Sequence, residues 1–544
     1  MHLEENNNPR KSYIIYGSLV FFLLLLLLSI CLLNLVPPVS RDALTHHLAI
    51  PKLYIQHDGI YEIPELDFSY YPMNLDLLYI IPLYFGNDIL PKFIHFLFAL
   101  GTGWLIFDYL KKHISKTYGL LGCLFFLSIP IILKLSITVY VDLGLIFFST
   151  FSLLLLFRWS EKNFQIHYLV FAAICCGLAM GTKYNGLITF FLLTAFVPIL
   201  YQRVTIRTSN ISAFRYALIF SCIAILTFSP WLIRNFLWTS NPLFPLFDNF
   251  FHPGRQIESD IGIIKFRQLI YNETPSQILL LPLRIFFEGK DNVPQLFDGK
   301  LNPFLLLLFP LAFISAKQHS ITLQKTLLAL FSVLFFLLAI FQTTLRIRYI
   351  APIIPPLVIL SMIGLHNIQS FFQHKKIGTS IVFILLVALF SYNVNYLADQ
   401  FKLIQPFSYL SGKISRDEYI TRFRPEYPVI QLANQMVPTG KVICLFMGNR
   451  GYYMNFPHLF DLPTQENSFL HRTISQATNK EDICNTLLEN GYSQLLLRND
   501  LTRKWLSTLQ HHKKIAILFF QHDLKLLSTA GGYSLYKIKR VTSQ

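Results

Sequence analysis

The chain has 544 residues, of which 53% are hydrophobic and only 14% are charged. This composition is too apolar for a soluble enzyme of this length and is typical of a polytopic membrane protein. Lysine and arginine outnumber aspartate and glutamate by 46 to 30. No basic segment carries a helix-turn-helix, zinc or glycine-aromatic pattern, so we expect no nucleic-acid partner and assign the basic residues to membrane topology and anion binding.

Eleven apolar runs are long enough to cross about 30 Å of hydrocarbon. The first run is longer than the core of a signal peptide and has no small-x-small cleavage site before Pro37, which favours an uncleaved span. We therefore predict an all-α polytopic membrane protein with about eleven transmembrane helices. The runs lie near residues 13–36, 89–110, 117–133, 138–157, 167–181, 184–201, 213–233, 302–316, 323–342, 347–366 and 377–397.

The charges of the short connections indicate the topology of these spans. Every second connection is basic, as the positive-inside rule requires when the N-terminus is cytoplasmic. An odd number of spans then places the C-terminal part outside the cytoplasm. The basic positions are Arg10, Lys11, Lys111, Lys112, Lys116, Arg158, Lys162, Arg203, Arg207, Arg215, Lys317, Lys325, Lys375 and Lys376.

Two outer connections and the C-terminal part interrupt the apolar pattern. The connections at 37–88 and 235–302 are long, and loops of this length are normally functional or contain their own helices. We predict a membrane domain at 1–400, which includes both connections, and a small extracytoplasmic α/β domain at 401–544. Within the latter, the hydrophobic pattern predicts a helix at 479–490 and strands at 441–447, 492–497, 515–520 and 533–538.

Two carboxylates lie at the ends of predicted spans, on the side that the charge pattern places outside. Asp42 directly follows the first span, and Asp142 stands at the start of the fourth. Asp42 can cap the helix that follows it, or it can act as a general base or sugar-hydroxyl anchor at the lipid boundary. Asp142 can cap its helix or pair with Lys134, but a charge that enters hydrocarbon favours a functional role.

Cationic residues lie at the same predicted face. Lys183, in the tight turn GTKY at 181–184, suits a phosphate as a compact point charge, while snorkelling to lipid headgroups is the structural alternative. Arg348 and Tyr349 open the tenth span ahead of several prolines, which should kink or delay that helix. A second cation at the same face strengthens the prediction of an anion site.

The seventh span ends in an arginine between two tryptophans. Interfacial anchoring explains Trp231 and Trp238 alone. Arg234, with Asn235 and Asn241 close by in sequence, adds hydrogen-bond donors for a phosphate or a sugar.

The first outer connection is rich in groups that can bind a metal, although their spacing matches no specific ligand template. We assign no metal site and keep a divalent cation, with Asp42, Asp142 and His46 as its candidate ligands, as an option. The cysteines show no metal spacing either; Cys444 and Cys484 could form a disulfide outside the cytoplasm, but two buried free thiols are the commoner arrangement. The groups in the connection are His46, His47, His57, Asp58, Glu62, Glu65 and Asp67.

Taken in chain order, these features resemble the GT-C superfamily of integral-membrane glycosyltransferases, in particular the bacterial branch similar to protein O-mannosyltransferases and lipid A aminoarabinose transferases. In architecture the resemblance covers about residues 1–400. Its motifs are Asp42 after the first span, TVYVD at 138–142, GTKY at 181–184, PWLIRN at 230–235 with NP at 241–242, and RY at 348–349 with Pro352 and Pro355.

The resemblance implies an inverting transfer with a polyprenyl phosphate as the leaving group. It makes Asp42 the catalytic base that activates an acceptor hydroxyl, and Asp142 a second catalytic carboxylate that supports the acceptor or a metal. The chain departs from many family members, which have a paired Asp-Glu where this sequence has Asp42 and Ala43. It is therefore open whether one carboxylate performs both base and anchoring work.

The resemblance also implies the partners and the location. The donor is a polyprenyl-phosphate-linked sugar, and the acceptor is a lipid, a glycan or a protein. The membrane is the bacterial inner membrane, and transfer occurs on its extracytoplasmic face. The donor phosphate is expected near Lys183, Arg234, Arg348 and Tyr349, and the acceptor or sugar near His46, His47, Tyr184, Asn235 and Asn241.

Two other functions remain open at this point. A polymerase or ligase of lipid-linked glycans would use catalytic arginines in a large outer loop, and the 235–302 connection supplies Arg255 and Arg267. A transporter or flippase would need polar residues at mid-depth and usually an internal repeat with broken helices, and the sequence shows neither clearly.

Overall fold

The computed structural model describes residues 9–204, 210–253, 262–314, 322–340, 344–372, 375–436, 440–510 and 512–539. Three residues named above, Arg207, Arg255 and Lys317, lie outside these ranges.

The chain divides into two compact units. The helical unit consists of Met1–Leu35 and Tyr70–Pro406, and the α/β unit consists of Val36–Ser69 and Phe407–Gln544. This division differs from the predicted domains, because Val36–Ser69 groups with the C-terminal residues and not with the spans. The reason is visible in the hydrogen bonds of this segment to residues 424–455, which no sequence pattern indicates.

The helical unit confirms the predicted all-α polytopic fold. Lys116–Ser128 and Pro130–Ser136 are together long and apolar enough for one span, with a bend of 68° between them. Ile166–Thr182 and Phe304–Phe313 are shorter apolar helices. Every predicted span is therefore helical over most of its length. In the described residues, eight helices are long and apolar enough to cross a membrane by themselves: Tyr13–Asn34, Leu90–His113, Asp142–Glu161, Gly186–Arg203, Asn210–Thr239, Thr322–Ala339, Ile347–Phe371 and Lys376–Ile404.

The bend between Lys116–Ser128 and Pro130–Ser136 has a cause in the sequence. Pro130 begins the second helix, and Ile129 before it is extended, with ψ of 132°. The ring of a proline disfavours helical geometry in the preceding residue, so the helix must break there. After Pro130–Ser136 the chain turns once more and enters the helix that Asp142 begins.

Short helices fill the connections and the α/β unit. In the second outer connection they are held by a buried ion pair, because Arg267 donates from Nε and Nη2 to the carboxylate of Glu273 at 2.6 and 2.7 Å. Arg284 contacts the same carboxylate at 3.1 Å. The helices are Ala49–Gln56, Asn74–Tyr84, Asp248–Phe251, Ile263–Tyr271, Pro275–Leu279, Leu281–Phe287, Pro406–Leu410, Arg416–Phe423, Tyr427–Met436, Phe469–Gln476, Lys480–Glu489, Asn499–Thr508 and Lys513–Leu518.

The α/β unit contains one five-stranded sheet of order β2-β1-β3-β5-β4. Strand β1 pairs in parallel with β2 and β3, while β5 pairs antiparallel with β3 and β4. Alternate residues of β3 enter two different cores, as the period of a strand requires. The strands are β1 Lys441–Leu445, β2 His458–Asp461, β3 Tyr492–Arg498, β4 Leu524–Ala530 and β5 Tyr533–Ile538.

One predicted strand is wrong and two strands were missed. Residues 515–520 are not extended, because Lys513–Leu518 is an α-helix followed by a π-helical turn at Phe519–Asp523. A short apolar run fits a buried strand and a helix equally well, and burial of Ala516 and Phe519, three residues apart, shows helical spacing. The missed strands are β2 and β4, whose exposed and half-buried residues give no alternating pattern.

The two cysteines of the α/β unit are free. Cys444 lies in the core that contains Leu496, and Cys484 lies in the core that contains Leu495, so the sheet separates them. Burial raises the pKa of both thiols. The predicted alternative of two buried free thiols is therefore confirmed.

We expect Arg267→Ala to destabilise the helical unit by about 3–5 kcal/mol, because it leaves the carboxylate of Glu273 buried without its main partner. Thermal unfolding in detergent micelles measures this effect. Arg284→Ala is the matched control and should cost less, because the bidentate bond from Arg267 remains.

The same carboxylate predicts a pH dependence. Burial alone would raise the pKa of Glu273, but the hydrogen bonds from Arg267 and Arg284 hold it below its usual value. Because the pKa is lower in the folded protein than in the unfolded chain, the stabilisation is complete above the usual glutamate pKa of about 4.3 and is lost as pH falls through the lowered value. Equal acid sensitivity of the wild type and Glu273→Gln would contradict this assignment.

Candidate active site

A buried ion pair forms where two antiparallel helices of the bundle meet. Asp142 begins the helix Asp142–Glu161, and Lys183 directly follows the neighbouring helix Ile166–Thr182. Because the two helices run in opposite directions, the start of one lies beside the end of the other. The ammonium of Lys183 donates to the carboxylate of Asp142 at 2.6 Å, and the two side chains are 18% and 1% exposed. The two charges predicted at separate spans are thus in direct contact.

A histidine fixes the turn that carries Asp142. The buried His95 ring has Nδ1 at 3.0 Å from the carbonyl oxygens of Leu135 and Thr138, and its Nε2 accepts the backbone N–H of Leu143 at 3.0 Å. The hydrogen-bond network assigns the proton to Nδ1 and leaves the ring neutral. His95 therefore connects the end of the preceding helix to the first turn of the helix that Asp142 begins.

Arg348 and Tyr349 join the ion pair from the tenth span. They lie in the 3₁₀ segment Ile347–Ile353, which delays the α-helix as the prolines predicted. The ammonium of Lys183 is 4.7 Å from the centre of the Tyr349 ring, and the guanidinium of Arg348 is 5.4 Å from the same ring and 4.9 Å from that of Tyr140. The two cations thus face one aromatic ring, and Lys183 is also paired with the carboxylate of Asp142.

A hydrogen-bond cluster continues from Tyr184, the next residue after Lys183. The Tyr184 hydroxyl donates to the carbonyl of Phe244 at 2.8 Å and accepts from the amide of Asn235 at 3.0 Å. The same amide of Asn235, which is fully buried, donates to the carbonyl of Tyr70 at 2.8 Å. Because a phenolic hydroxyl is both a donor and an acceptor, Tyr184 can make its two bonds at once.

Arg234 is held by protein groups on several sides. Its guanidinium lies between the rings of Trp231 and Trp238, at 4.6 and 4.9 Å from their centres. Its Nε and Nη2 donate to the side-chain oxygen of Asn235, and Nη2 also donates to the carbonyl of Tyr71. The arginine thus fixes the chain at 70–71 beside the Tyr184 cluster.

Asn241 shapes the turn after the seventh span. Its amide donates to the carbonyl of Leu246 at 3.0 Å, and its oxygen accepts the backbone N–H of Leu243 at 3.0 Å. The side chain is fully buried. The same amide also donates to the carboxylate of Asp248, which begins the next short helix. The role of Asn241 toward a sugar stays a prediction.

Asp42, His46 and His47 belong to the α/β unit. Asp42 is half-buried and precedes the π-helix Ala43–His47, whose first turn it does not cap with its side chain. The His46 ring stacks on Phe68 at 4.3 Å and lies 4.0 Å from the ring of His47. The capping alternative for Asp42 is therefore wrong.

The described residues contain no group of three or more His, Cys, Asp or Glu side chains placed to hold a metal ion.

The predicted alternative in which Asp142 pairs with Lys134 is wrong. Lys134 contacts Asp291 and Asp298 instead, at 3.1 and 3.2 Å.

Several residues of the site were missed in the sequence. His95 could have been found, since it is a titratable group inside a predicted span. Asn185, which donates to the carbonyl of Tyr349 at 3.3 Å, and Asn74, which accepts from Trp231 at 2.8 Å, have no such signal. Asn74 also lines Gly181, where an added Cβ would lie 2.3 Å from its amide nitrogen.

Comparisons with known proteins agree with this architecture. A family model described as dolichyl-phosphate-mannose-protein mannosyltransferase matches residues 83–233. ArnT from Cupriavidus metallidurans bound to undecaprenyl phosphate is similar in structure, with a TM-score of 0.59 and 14% identity, over 96% of this chain and 98% of that one. The apo state of ArnT gives a TM-score of 0.57 and 13% identity over the same shares of the two chains.

A third similar structure is the oligosaccharyltransferase from Archaeoglobus fulgidus tethered to an acceptor peptide. It gives a TM-score of 0.51 and 12% identity, over 96% of this chain and 74% of that one. No curated protein matches the sequence. The family-model match and the shared fold confirm the resemblance predicted from the motifs, and the chain has the fold of the GT-C superfamily of integral-membrane glycosyltransferases.

Proposed function

We propose that the protein is an inverting glycosyltransferase of the bacterial inner membrane. It moves a sugar from a polyprenyl-phosphate donor to a hydroxyl of a lipid, glycan or protein acceptor on the extracytoplasmic face. The observation that carries this proposal is the cluster of Lys183, Arg348 and Asp142 at one end of the helical bundle. Similarity to an ArnT structure that was solved with undecaprenyl phosphate supports a lipid phosphate as the ligand.

The charge of the cluster suits a lipid phosphate. A sugar linked through a phosphodiester carries one negative charge, and the cluster contains two cations, Lys183 and Arg348. Arg348 can bind two phosphate oxygens at once, and Lys183 supplies a compact point charge. As the bond to the sugar breaks, the phosphate gains a second negative charge, which fixed cations stabilise without protonation of the leaving group.

Asp142 orients Lys183 in this mechanism. Its carboxylate is 1% exposed and already accepts a hydrogen bond from the ammonium. A general base must reach the proton that it removes. Because the carboxylate of Asp142 is buried, it is better placed to hold the Lys183 ammonium than to act as this base. His95 fixes the backbone from which Asp142 extends.

Asp42 is the proposed general base. Its carboxylate takes the proton of the acceptor hydroxyl, and the oxygen attacks the anomeric carbon from the face opposite the phosphate. The bond between that carbon and the phosphate oxygen breaks, and its electron pair leaves with the polyprenyl phosphate. The configuration of the sugar is inverted because attack and departure occur on opposite faces.

Arg234, Asn235 and Tyr184 support the walls of the site. The hydrogen bonds observed for these three side chains go to protein groups around 70–71 and 244. We propose that they hold these segments beside Lys183, and that His46, His47 and Asn241 are the remaining candidates for contact with the sugar or acceptor.

The structure weakens both other functions. A ligase would need accessible arginines in the second outer connection, but Arg267 is 1% exposed and bound to Glu273, and Arg255 lies outside the described residues. A transporter would need charges along a path, whereas the helix Asp142–Glu161 has one ion pair at its start and another, between Arg158 and Asp108, near its end.

We expect Lys183→Met to weaken binding of undecaprenyl phosphate about 10- to 100-fold, because a charge-assisted hydrogen bond to phosphate contributes about 1.5–3 kcal/mol. Titration of the purified protein in micelles measures the dissociation constant. Lys300→Met is the matched control, since the Lys300 ammonium also lies over a tyrosine ring, that of Tyr392 at 5.0 Å, but does not contact Asp142. An unchanged dissociation constant for Lys183→Met would remove Lys183 from the donor site.

We expect Asp42→Asn to lower product formation about 100- to 10,000-fold, the range typical of a lost general base, with undecaprenyl phosphate binding unchanged. Mass spectrometry of surface glycans and glycolipids, in cells that carry the wild type, the variant or no gene, identifies the product and measures its loss. Product at the wild-type level would exclude Asp42 as the base.

A further inference from the structure

The segment that carries Asp42 is bound by one turn of the α/β unit. Residues 452–455, which we call the 452–455 turn, follow β1 by a few residues. The backbone N–H of Tyr452 donates to the carbonyl of Leu44 at 3.1 Å, two residues after Asp42. The hydroxyl of Tyr453 donates to the carbonyl of Pro38 at 2.8 Å, on the other side of Asp42.

Lys52 contributes three hydrogen bonds between the segment and the turn. It lies on the helix Ala49–Gln56, one and a half turns beyond the π-helix that follows Asp42. Its ammonium donates to the carbonyls of Tyr452 and Met454 at 2.7 and 2.8 Å, and to the side-chain oxygen of Asn455 at 2.7 Å. An ammonium has three N–H donors, and each has one acceptor here.

The turn is itself fixed from its other side. Asn434, on the helix Tyr427–Met436, donates to the carbonyl of Tyr453 at 2.9 Å and accepts the backbone N–H of Asn455 at 2.7 Å. The turn can therefore hold Lys52 without moving. In sheets of this kind the loop that leaves a central parallel strand, at the point where strand order reverses, is the usual ligand-binding place. Here the loop after β1 binds the chain's own segment.

We propose that Lys52 is a positioning residue for the transfer reaction, because its ammonium locks the Asp42 segment onto the 452–455 turn. This inference rests on the proposed role of Asp42 as the base. It also gives the α/β unit a part in catalysis, since the unit supplies both the turn and the segment. Displacement of a catalytic base by about 1 Å greatly lowers the rate of the reaction. A flexible Asp42 segment would therefore lower turnover without changing the donor phosphate site.

The proposal predicts a pH dependence of local order. Burial lowers the pKa of Lys52 to about 8, and the titratable groups that face it are Tyr452 of the turn and His458 of β2. Burial lowers the pKa of His458, so this ring is already neutral at pH 7.5. Opening of the segment exposes Lys52 to water and returns its pKa toward the usual value. The open segment therefore binds more protons than the closed one above pH 8, and closure becomes more favourable as pH rises.

Global stability changes in the same direction. The pKa of Lys52 is about 8 in the folded protein, whereas a lysine in an unfolded chain has a pKa of about 10.4. The unfolded chain therefore binds more protons between these values, and the contribution of Lys52 to stability rises with pH. An arginine stays charged over this range, so a gain of order that Lys52→Arg lacks comes from the titration of Lys52.

Hydrogen exchange of the full-length protein in micelles tests the proposal. In Lys52→Met we expect the protection factors of the amides at 42–48 to fall at least 10-fold, while those of β3 stay unchanged. In the wild type the same factors should rise between pH 7.5 and 9, and in Lys52→Arg, which keeps its charge, they should not. Lys480→Met is the matched control, because Lys480 pairs with Asp523 in the same unit and does not touch the turn.

Product formation in cells completes the test. We expect Lys52→Met to lower it at least 10-fold at unchanged affinity for undecaprenyl phosphate, and Lys480→Met to leave it unchanged. Unaltered protection at 42–48, or product at the wild-type level in Lys52→Met, would overturn the role of Lys52. Full activity of Asp42→Asn would instead refute the proposed base, and the exchange data would still report whether Lys52 orders the segment.

Discussion

The polar end of the helical unit depends on one buried ion pair, that of Asp142 with Lys183. Removal of two charges from water costs several kcal/mol per ion, and only close contact with further partners offsets that cost. Both conditions hold here, since the two groups lie 2.6 Å apart and Lys183 also faces the ring of Tyr349. Asp142 lies in the first turn of its helix, where the helix dipole stabilises a negative charge.

This ion pair constrains the surrounding elements. The start of the helix Asp142–Glu161 and the turn that carries Lys183 must stay side by side. The neutral His95 ring holds the start of that helix in place. Tyr184 extends the constraint to the end of the seventh span through Asn235. The donor phosphate that we propose would therefore meet cations that are already oriented, which is the condition for electrostatic catalysis with little reorganisation.

The α/β unit meets a different requirement. Val36–Ser69 buries apolar side chains such as Leu44, Leu48 and Ile50, and it is also bonded to backbone acceptors that the C-terminal residues present. Lys52 and Tyr453 contact carbonyl oxygens, which every residue type provides. No complementary sequence pattern is needed for such contacts, and none was visible. The grouping of the first outer connection with the C-terminal part could not be predicted for this reason.

Single charged residues stand out in the sequence where the bilayer restricts the choice. A carboxylate at the start of a span and a lysine in a tight turn indicated functional positions, and the structure brings Asp142 and Lys183 into contact. The prediction that Asp142 could pair with Lys134 failed, because which cation lies nearest depends on helix packing. The prediction of a strand at 515–520 failed because so short an apolar run fits both a strand and a helix.

The sequence by itself determined the membrane-spanning helices, since a backbone in hydrocarbon must satisfy its own hydrogen bonds and about 20 apolar residues suffice to specify a span. It also determined the order of the polar motifs along the chain. Only the tertiary structure decided which charges meet, that Arg234 donates to the carbonyl of Tyr71, and that Asp42 belongs with the C-terminal residues. These contacts join residues far apart in the chain, and local patterns of hydropathy and charge carry no information about such distances.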